Sequence, residues 1–111
     1  MRGTIKKSVI FTRAYRRGRK YVGKYSVLYV LSGKPDEESV YGITVTKKRG
    51  GAVTRNRIRR VLREAYRQNA GDIATGKYIV ITARDAARDA KSYDAARDMR
   101  AGFEALGILK K

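Results

Sequence analysis

The sequence predicts an α/β (α+β) two-layer sandwich, with helices packed on a mixed β-sheet, in a single domain spanning residues 1–111. Three observations lead there. The hydrophobic period switches along the chain between 3.6 and 2, giving the order α, two or three β, α, β, α. A strand, helix, strand succession around residues 41 to 83 implies a crossover connection inside one sheet. No repeat, linker or low-complexity tract interrupts the chain, and 111 residues make one core comfortably and two only with difficulty.

The elements follow in order. Ser8 is placed to cap a short helix running to about Arg17, with Phe11, Ala14 and Tyr15 on one face and Gly18 as its stop. Tyr21-Val22 can form a short strand. From Lys24 to Leu31 the period is two: Tyr25, Val27, Tyr29 and Leu31 on one face, Ser26, Leu28 and Val30 on the other. Both faces are largely apolar, so this strand should be covered on both sides. Gly33-Lys34-Pro35-Asp36 reads as a turn, and the acidic tract after it as a solvated hairpin loop. Tyr41 to Thr46 is a second long strand, with Ile43 and Val45 toward the core. After Gly50-Gly51, Thr54 is the expected N-cap of a helix in which Ile58, Val61, Leu62, Ala65 and Tyr66 keep helical spacing. Asn69 to Gly76 is a loop, and Tyr78 to Ala83 a buried strand rich in β-branched residues. Ser92 is expected to cap a last helix whose Ala95, Met99, Phe103 and Leu106 face inward, with Gly107 just past its end.

Charge says most about partners. The chain has 27 basic and 10 acidic residues, a formal charge of +17, far beyond what solubility requires. No acid occurs in residues 1 to 35, and Lys47 to Arg67 contains only Glu64. Two separated basic blocks imply two contact surfaces for a polyanion. Cysteine and histidine are absent, which excludes disulfides, thiolate and imidazole zinc sites, and the Ser-His and Cys-His catalytic pairs. The N-terminal stretch is basic but has no uninterrupted apolar core, and no apolar run reaches the ~20 residues of a membrane span. A cytoplasmic protein without a membrane partner is expected.

The block Lys47 to Arg67 opposes folding electrostatics. A helix N-terminus carries partial positive charge and favours acids in its first turn, yet here Arg55 and Arg57 open the helix, with Arg59 and Arg60 close behind. Projection at ~100° per residue puts Asn56, Arg60, Arg63 and Arg67 in a narrow stripe opposite the apolar face, with Arg59 and Arg57 on its flanks. Arginine forks suit phosphate oxygens, and asparagine can reach a sugar hydroxyl or base edge. Lys47 and Lys48 extend the stripe. On this reading, removing Arg57 or Arg60 weakens polyanion binding and leaves stability unchanged or slightly raised.

A second constellation interleaves Phe11, Tyr15, Tyr25 and Tyr29 with Arg13, Arg16, Arg17, Arg19, Lys20 and Lys24. Rings among cations suit single-stranded nucleic acid, whose bases stack on π faces. On the residues alone, these rings serve equally as the core of a small domain, and that reading is favoured. Asp85 and Asp89, and Asp94 and Asp98, are each spaced i, i+4 and could face one another around a metal ion. Arg88 and Arg97 between them favour surface ion pairs instead.

The segment TKKRGGAVTRNRIRRVLREAYR resembles the signature of the bacterial ribonuclease P protein component. The RRGRK turn, the VLYVL strand and the late YIVITAR strand also fit, so the similarity covers nearly the whole chain. What it implies is a left-handed βαβ crossover within the order α-β-β-β-α-β-α, against the usual right-handed rule. It also implies two partners: ribonuclease P RNA, which cleaves with Mg2+ bound mainly by the RNA, and precursor tRNA. No obligate protein partner, organic cofactor or catalytic side chain is implied. By position, Arg55, Asn56, Arg57, Arg59, Arg60, Arg63 and Arg67, with Lys47 and Lys48, would dock on the catalytic RNA. Phe11, Tyr15 and Tyr29 would line a cleft for the 5′ leader, with Arg17 and Lys24 as phosphate partners, which reverses the core reading of those rings. The chain departs from the family pattern in a short extension before the first helix and in Arg84-Asp85 where Arg-Pro is usual. Two other functions compete: a ribosomal-type structural RNA-binding protein, and a protein-only nuclease using Asp85, Asp89, Asp94 or Asp98.

Overall fold

A computed structural model describes residues 8–110, and the short extension ahead of the first helix lies outside them. The elements are α1 (Ser8–Arg17), β1 (Arg19–Val22), β2 (Ser26–Ser32), β3 (Val40–Thr44), α2 (Ala52–Ala70), β4 (Lys77–Ala83) and α3 (Ser92–Ala105), with short 3-10 turns at Lys47–Arg49 and Asp85–Asp89. This is the expected order.

The four strands form one mixed sheet in the order β1-β2-β4-β3. β4 runs antiparallel to β2, with Val80 opposite Tyr29, and parallel to β3, with Val80 opposite Gly42. Helix α2 therefore crosses between two parallel neighbours, as the 41 to 83 pattern required. The acidic tract after Gly33 is not a hairpin loop, because β4 lies between β2 and β3. That connection instead latches onto the segment leading into β4. Gly33 donates to the Gly76 carbonyl at 2.7 Å, the Ser39 hydroxyl donates to the Ala74 carbonyl at 2.6 Å, and Thr75 donates to the Pro35 carbonyl at 2.6 Å.

Strand parity divides the sheet into two faces. Ser26, Leu28 and Val30 of β2 are buried with Ile79, Ile81 and Ala83 of β4 beneath α2 and α3, where Ile58, Leu62, Met99, Phe103 and Ile108 complete the core. The opposite face carries Val27, Tyr29 and Leu31 with Tyr78, Val80 and Thr82. Helix α1 lies across part of it, burying Ala14 and Val80 completely. The second face of β2 is thus only half covered.

Three helix ends differ from expectation or sharpen it. Thr54 is not the N-cap of α2: Gly51 is, and its carbonyl accepts from the Arg55 N–H at 2.9 Å. Gly50, at φ +136°, turns the chain out of the preceding 3-10 turn, so the helix begins before Thr54 is reached. Lys91, not Ser92, caps α3, with its carbonyl accepting from the Ala95 N–H at 3.0 Å. Gly107 takes φ +71°, and Ile108 donates to the Phe103 carbonyl at 3.1 Å while Gly107 donates to Glu104 at 3.0 Å. That is a complete Schellman closure, with buried Phe103 and Ile108 as its apolar pair.

The two helices of the core layer are pinned by a polar group. Asn69 is buried, and its Nδ2 donates to the carbonyls of Ala65 and Ala96, each at 3.1 Å, which ties α2 to α3. Beside it, Tyr66 packs under Tyr41 with ring centroids 4.0 Å apart and meets the edge of Phe103. Burial, and then the neighbouring Tyr41, push the Tyr66 phenol up to about 12 from its ordinary 10.0. A raised folded pKa means the neutral phenol is favoured by folding, so its contribution is complete below pH 10 and is lost as pH rises through about 12. Chemical denaturation at stepped pH should show an alkaline fall on the order of 2 kcal/mol from this group. Tyr66→Phe should flatten that part of the profile.

Candidate nucleic-acid interface

Helix α2 has no acid in its first turn. Asn56, Arg60, Arg63 and Arg67 are exposed on its outer face, while Ile58, Leu62, Ala65 and Tyr66 are buried on the inner one. The 11 helical steps from Asn56 to Arg67 extend the exposed stripe over about 16 Å. Glu64 offsets it weakly, its Oε1 lying 3.5 Å from Arg67 Nη1 on an exposed surface. Lys47 and Lys48 are exposed on the 3-10 turn just ahead of the helix.

The flanking arginines differ from those in the stripe. Arg57 turns inward: its guanidinium donates to the Arg88 carbonyl and, at 3.0 Å, to that of Ala90. It thus links the 3-10 turn after β4 to α2, so its loss is expected to lower stability rather than leave it unchanged. Arg59 Nη1 donates to Asn56 Oδ1 at 3.1 Å, fixing the side-chain amide of Asn56 with its donor end outward. Arg55 is half-buried, and its Nε has no hydrogen-bond partner among the described residues.

On the other face of the sheet, α1 and the strands enclose a shallow aromatic trough. Tyr15 is 41% exposed, and its hydroxyl shares hydrogen bonds with Thr44 Oγ1 at 2.9 Å and Thr82 Oγ1 at 3.3 Å. Those threonines are register partners across β3 and β4. The Tyr15 ring stands edge-on to Tyr29, centroids 4.8 Å apart at 87°. Phe11 is half-buried one turn earlier on the same helix. Gly42 is the register partner of Val80 on this face, and both are buried. Phe11, Tyr15 and Tyr29 are thus brought together as a surface, not as core.

A third cluster joins the two. Lys24, Arg49, Arg84 and Asp85 line an open cleft of about 390 Å³ at the end of the sheet where β2 begins and β4 ends. Arg84 Nη1 is held by the Gly23 carbonyl at 2.6 Å, Lys24 Nζ lies 5.3 Å from the Tyr25 ring centroid, and Arg49 is ion-paired with Asp85. Arg17 is exposed at the end of α1, outside this cleft. The sequence marks Arg49 as part of the basic run Lys47-Lys48-Arg49 and Arg84 only as the residue after the last strand; it does not bring them together, because which strand ends meet depends on strand order.

The acids are dispersed. Asp85 pairs with Arg49 and not Arg88, Asp94 pairs with Arg97 at 2.7 Å, and Asp98 Oδ2 accepts from the Tyr25 N–H at 3.1 Å. Among the described residues, no group of three or more His, Cys, Asp or Glu side chains can hold a metal ion. No helix of the described residues is long and apolar enough to cross a membrane.

Comparisons with known proteins bear on the family and the fold. A family model described as Ribonuclease P matches residues 2–107. A Ribonuclease P protein component from Clostridioides difficile (strain 630) is 44% identical over 91 residues, covering 81% of this chain and 79% of its own length. One from Clostridium botulinum (strain Eklund 17B / Type B) is 34% identical over 110 residues, covering 94% and 88%. The solved RNase P protein of Staphylococcus aureus superposes with a TM-score of 0.84 at 28% identity, covering 99% of this chain and 100% of that one.

The two kinds of arginine on α2 should separate in a thermal melt. Arg57→Ala unties two carbonyls from the guanidinium and should lower stability by about 1–3 kcal/mol. Arg60→Ala should leave the melting temperature unchanged or raise it slightly. Equal melting temperatures for the two variants would show that Arg57 does not hold the turn.

Proposed function

The chain belongs to the ribonuclease P protein family, and on that premise we propose that it binds the catalytic RNA and the 5′ leader of precursor tRNA while the RNA removes the leader. The observation that carries this reading is the pairing of an acid-free arginine stripe with a separate, half-exposed aromatic trough. A duplex or folded RNA offers phosphates in rows, which suit Lys47, Lys48, Arg55, Asn56, Arg59, Arg60, Arg63 and Arg67. A single strand offers unstacked bases, which suit Phe11, Tyr15 and Tyr29, with Lys24 and Arg17 on the backbone. Arg49 and Arg84 add phosphate partners at the end of that trough.

In this scheme the protein supplies position and charge. Cationic side chains at the RNA surface lower the concentration of divalent cation the RNA needs to fold and bind substrate. In this reading the magnesium for the hydrolysis is bound mainly by the RNA. The protein works in the cytoplasm beside its RNA.

Cleavage of precursor tRNA by ribonuclease P RNA at low magnesium should accelerate when the protein is added; no change would overturn the proposal. Within the reconstituted complex, precursor should bind at least about tenfold tighter than mature tRNA, and Tyr15→Ala or Tyr29→Ala should remove most of that gain. Equal affinity for the two substrates would point to a structural RNA-binding protein. Cleavage by the RNA-free protein, abolished by Asp85→Asn or Asp94→Asn, would assign the chemistry to the protein itself.

A further inference from the structure

A cleft of about 500 Å³ lies at the other end of the sheet, between the start of β3 and the last turns of α2, away from the trough and from the Lys24, Arg49, Arg84 cluster. Its walls include Tyr41, Tyr66, Ala70 and Ile73, and Arg67, Lys110 and Glu38 stand on its lining. Tyr41 and Tyr66 are stacked, centroids 4.0 Å apart and planes 18° from parallel. Tyr66 is buried and ends on the edge of Phe103, centroids 6.2 Å apart at 89°. Tyr41 is the half-buried outer member of the stack and lines the cleft.

We infer that this cleft receives one unstacked nucleobase of the RNA that lies along α2, the base extending the Tyr41–Tyr66 stack while its phosphate meets Arg67 and Lys110. Three features point to a nucleotide. The volume falls within the range of small-ligand clefts and has room for a nucleoside. Arg67 and Lys110 put two cationic side chains on the lining, within the same cleft as the stacked rings. Arg67 belongs both to the cleft and to the exposed stripe Asn56, Arg60, Arg63, Arg67, so a backbone that follows the stripe arrives at the opening. Hydroxyl readout is limited: Ser39 already donates to the Ala74 carbonyl and accepts from the Lys77 N–H at 3.0 Å, and Thr75 donates to Pro35. Stacking rather than base identity therefore governs entry.

This inference rests on the proposed docking of the catalytic RNA along α2, and the test separates the two. Ultraviolet cross-linking of the complex of this chain with ribonuclease P RNA, read by mass spectrometry, should give a nucleotide adduct on Tyr41 or Tyr66. Ala70→Trp places a ring in the cleft from an exposed position at the helix end. It should weaken RNA binding about tenfold with an unchanged dependence on salt, because the new ring displaces the base while its phosphate stays on Arg67 and Lys110, and stacking itself releases no counterion. Arg60→Ala is the control, and should lower the log–log salt slope by about 0.7 to 0.9. Wild-type affinity in Ala70→Trp without an adduct on either tyrosine, or a weakening that comes with a reduced salt slope, overturns the base-binding cleft while leaving the stripe intact. An unchanged slope in Arg60→Ala overturns the docking on α2 itself.

Discussion

Ile79, Val80 and Ile81 of β4 are all fully buried, although successive side chains of a strand leave it in opposite directions. A strand with that burial must be covered on both faces and paired on both edges. β2 and β3 supply the edges, α2 and α3 one face, and α1 the other. Each functional surface is then set by what β4 holds. Its Thr82 anchors Tyr15, its Val80 lies between Tyr29 and Gly42 as their register partner, and Arg84 beyond its end enters the cationic cleft. The chain must therefore bring residues 77–83 between strands it completed much earlier, and the latches of Gly33, Ser39 and Thr75 at the entry to β4 hold that insertion in place.

The charge on α2 is tolerable for a related reason. Buried Ile58, Leu62 and Ala65 bind the helix to the sheet whatever its outer face carries, so packing offsets the mutual repulsion of the arginines along it. Part of the repulsion is also absorbed locally. Arg57 is neutralised in effect by two carbonyls, and Arg59 leans on Asn56. What remains free to face outward is a row of Asn56, Arg60, Arg63 and Arg67, the same residues that simple helical projection selects.

Local periodicity was legible, and pairing was not. The inner faces of α2 and α3 follow from spacing alone, because a helix repeats within a few residues and Ile58, Leu62, Met99 and Phe103 fall where the period puts them. Strand order depends on residues far apart in the chain, so a turn signal at Gly33 to Asp36 reads as a hairpin although β4 separates the two strands. The same limit hid the meeting of Arg49 and Arg84, which is a property of the sheet. Caps slipped because Gly50 and Gly51 turn the chain before Thr54 can. Helical projection sets Arg57 on the flank of the stripe and Arg60 within it, but that Arg57 holds a distant turn is hidden from sequence, since its carbonyl acceptors lie 31 and 33 residues away. For Phe11, Tyr15 and Tyr29, composition favours core, and the half-open face beneath α1 is what makes them a surface.

The stripe on α2 and the trough beneath α1 lie on opposite faces of the sheet, so two RNA segments bound there cannot run side by side across the molecule. They can converge only around an edge or an end. The end where β3 and β4 finish is the one furnished for it: Lys47 and Lys48 lead from there into α2, Thr44 and Thr82 lead into the trough, and Lys24, Arg49 and Arg84 stand between. Asp85 tempers that junction. Where the family pattern has proline, this chain places a carboxylate that engages Arg49, leaving two of the three cations to meet phosphate unopposed. On the proposed docking, the junction should bind RNA more weakly than its cation count implies, and the arginines of α2, with Glu64 their only acid partner on the stripe among the described residues, should carry the larger share of attachment.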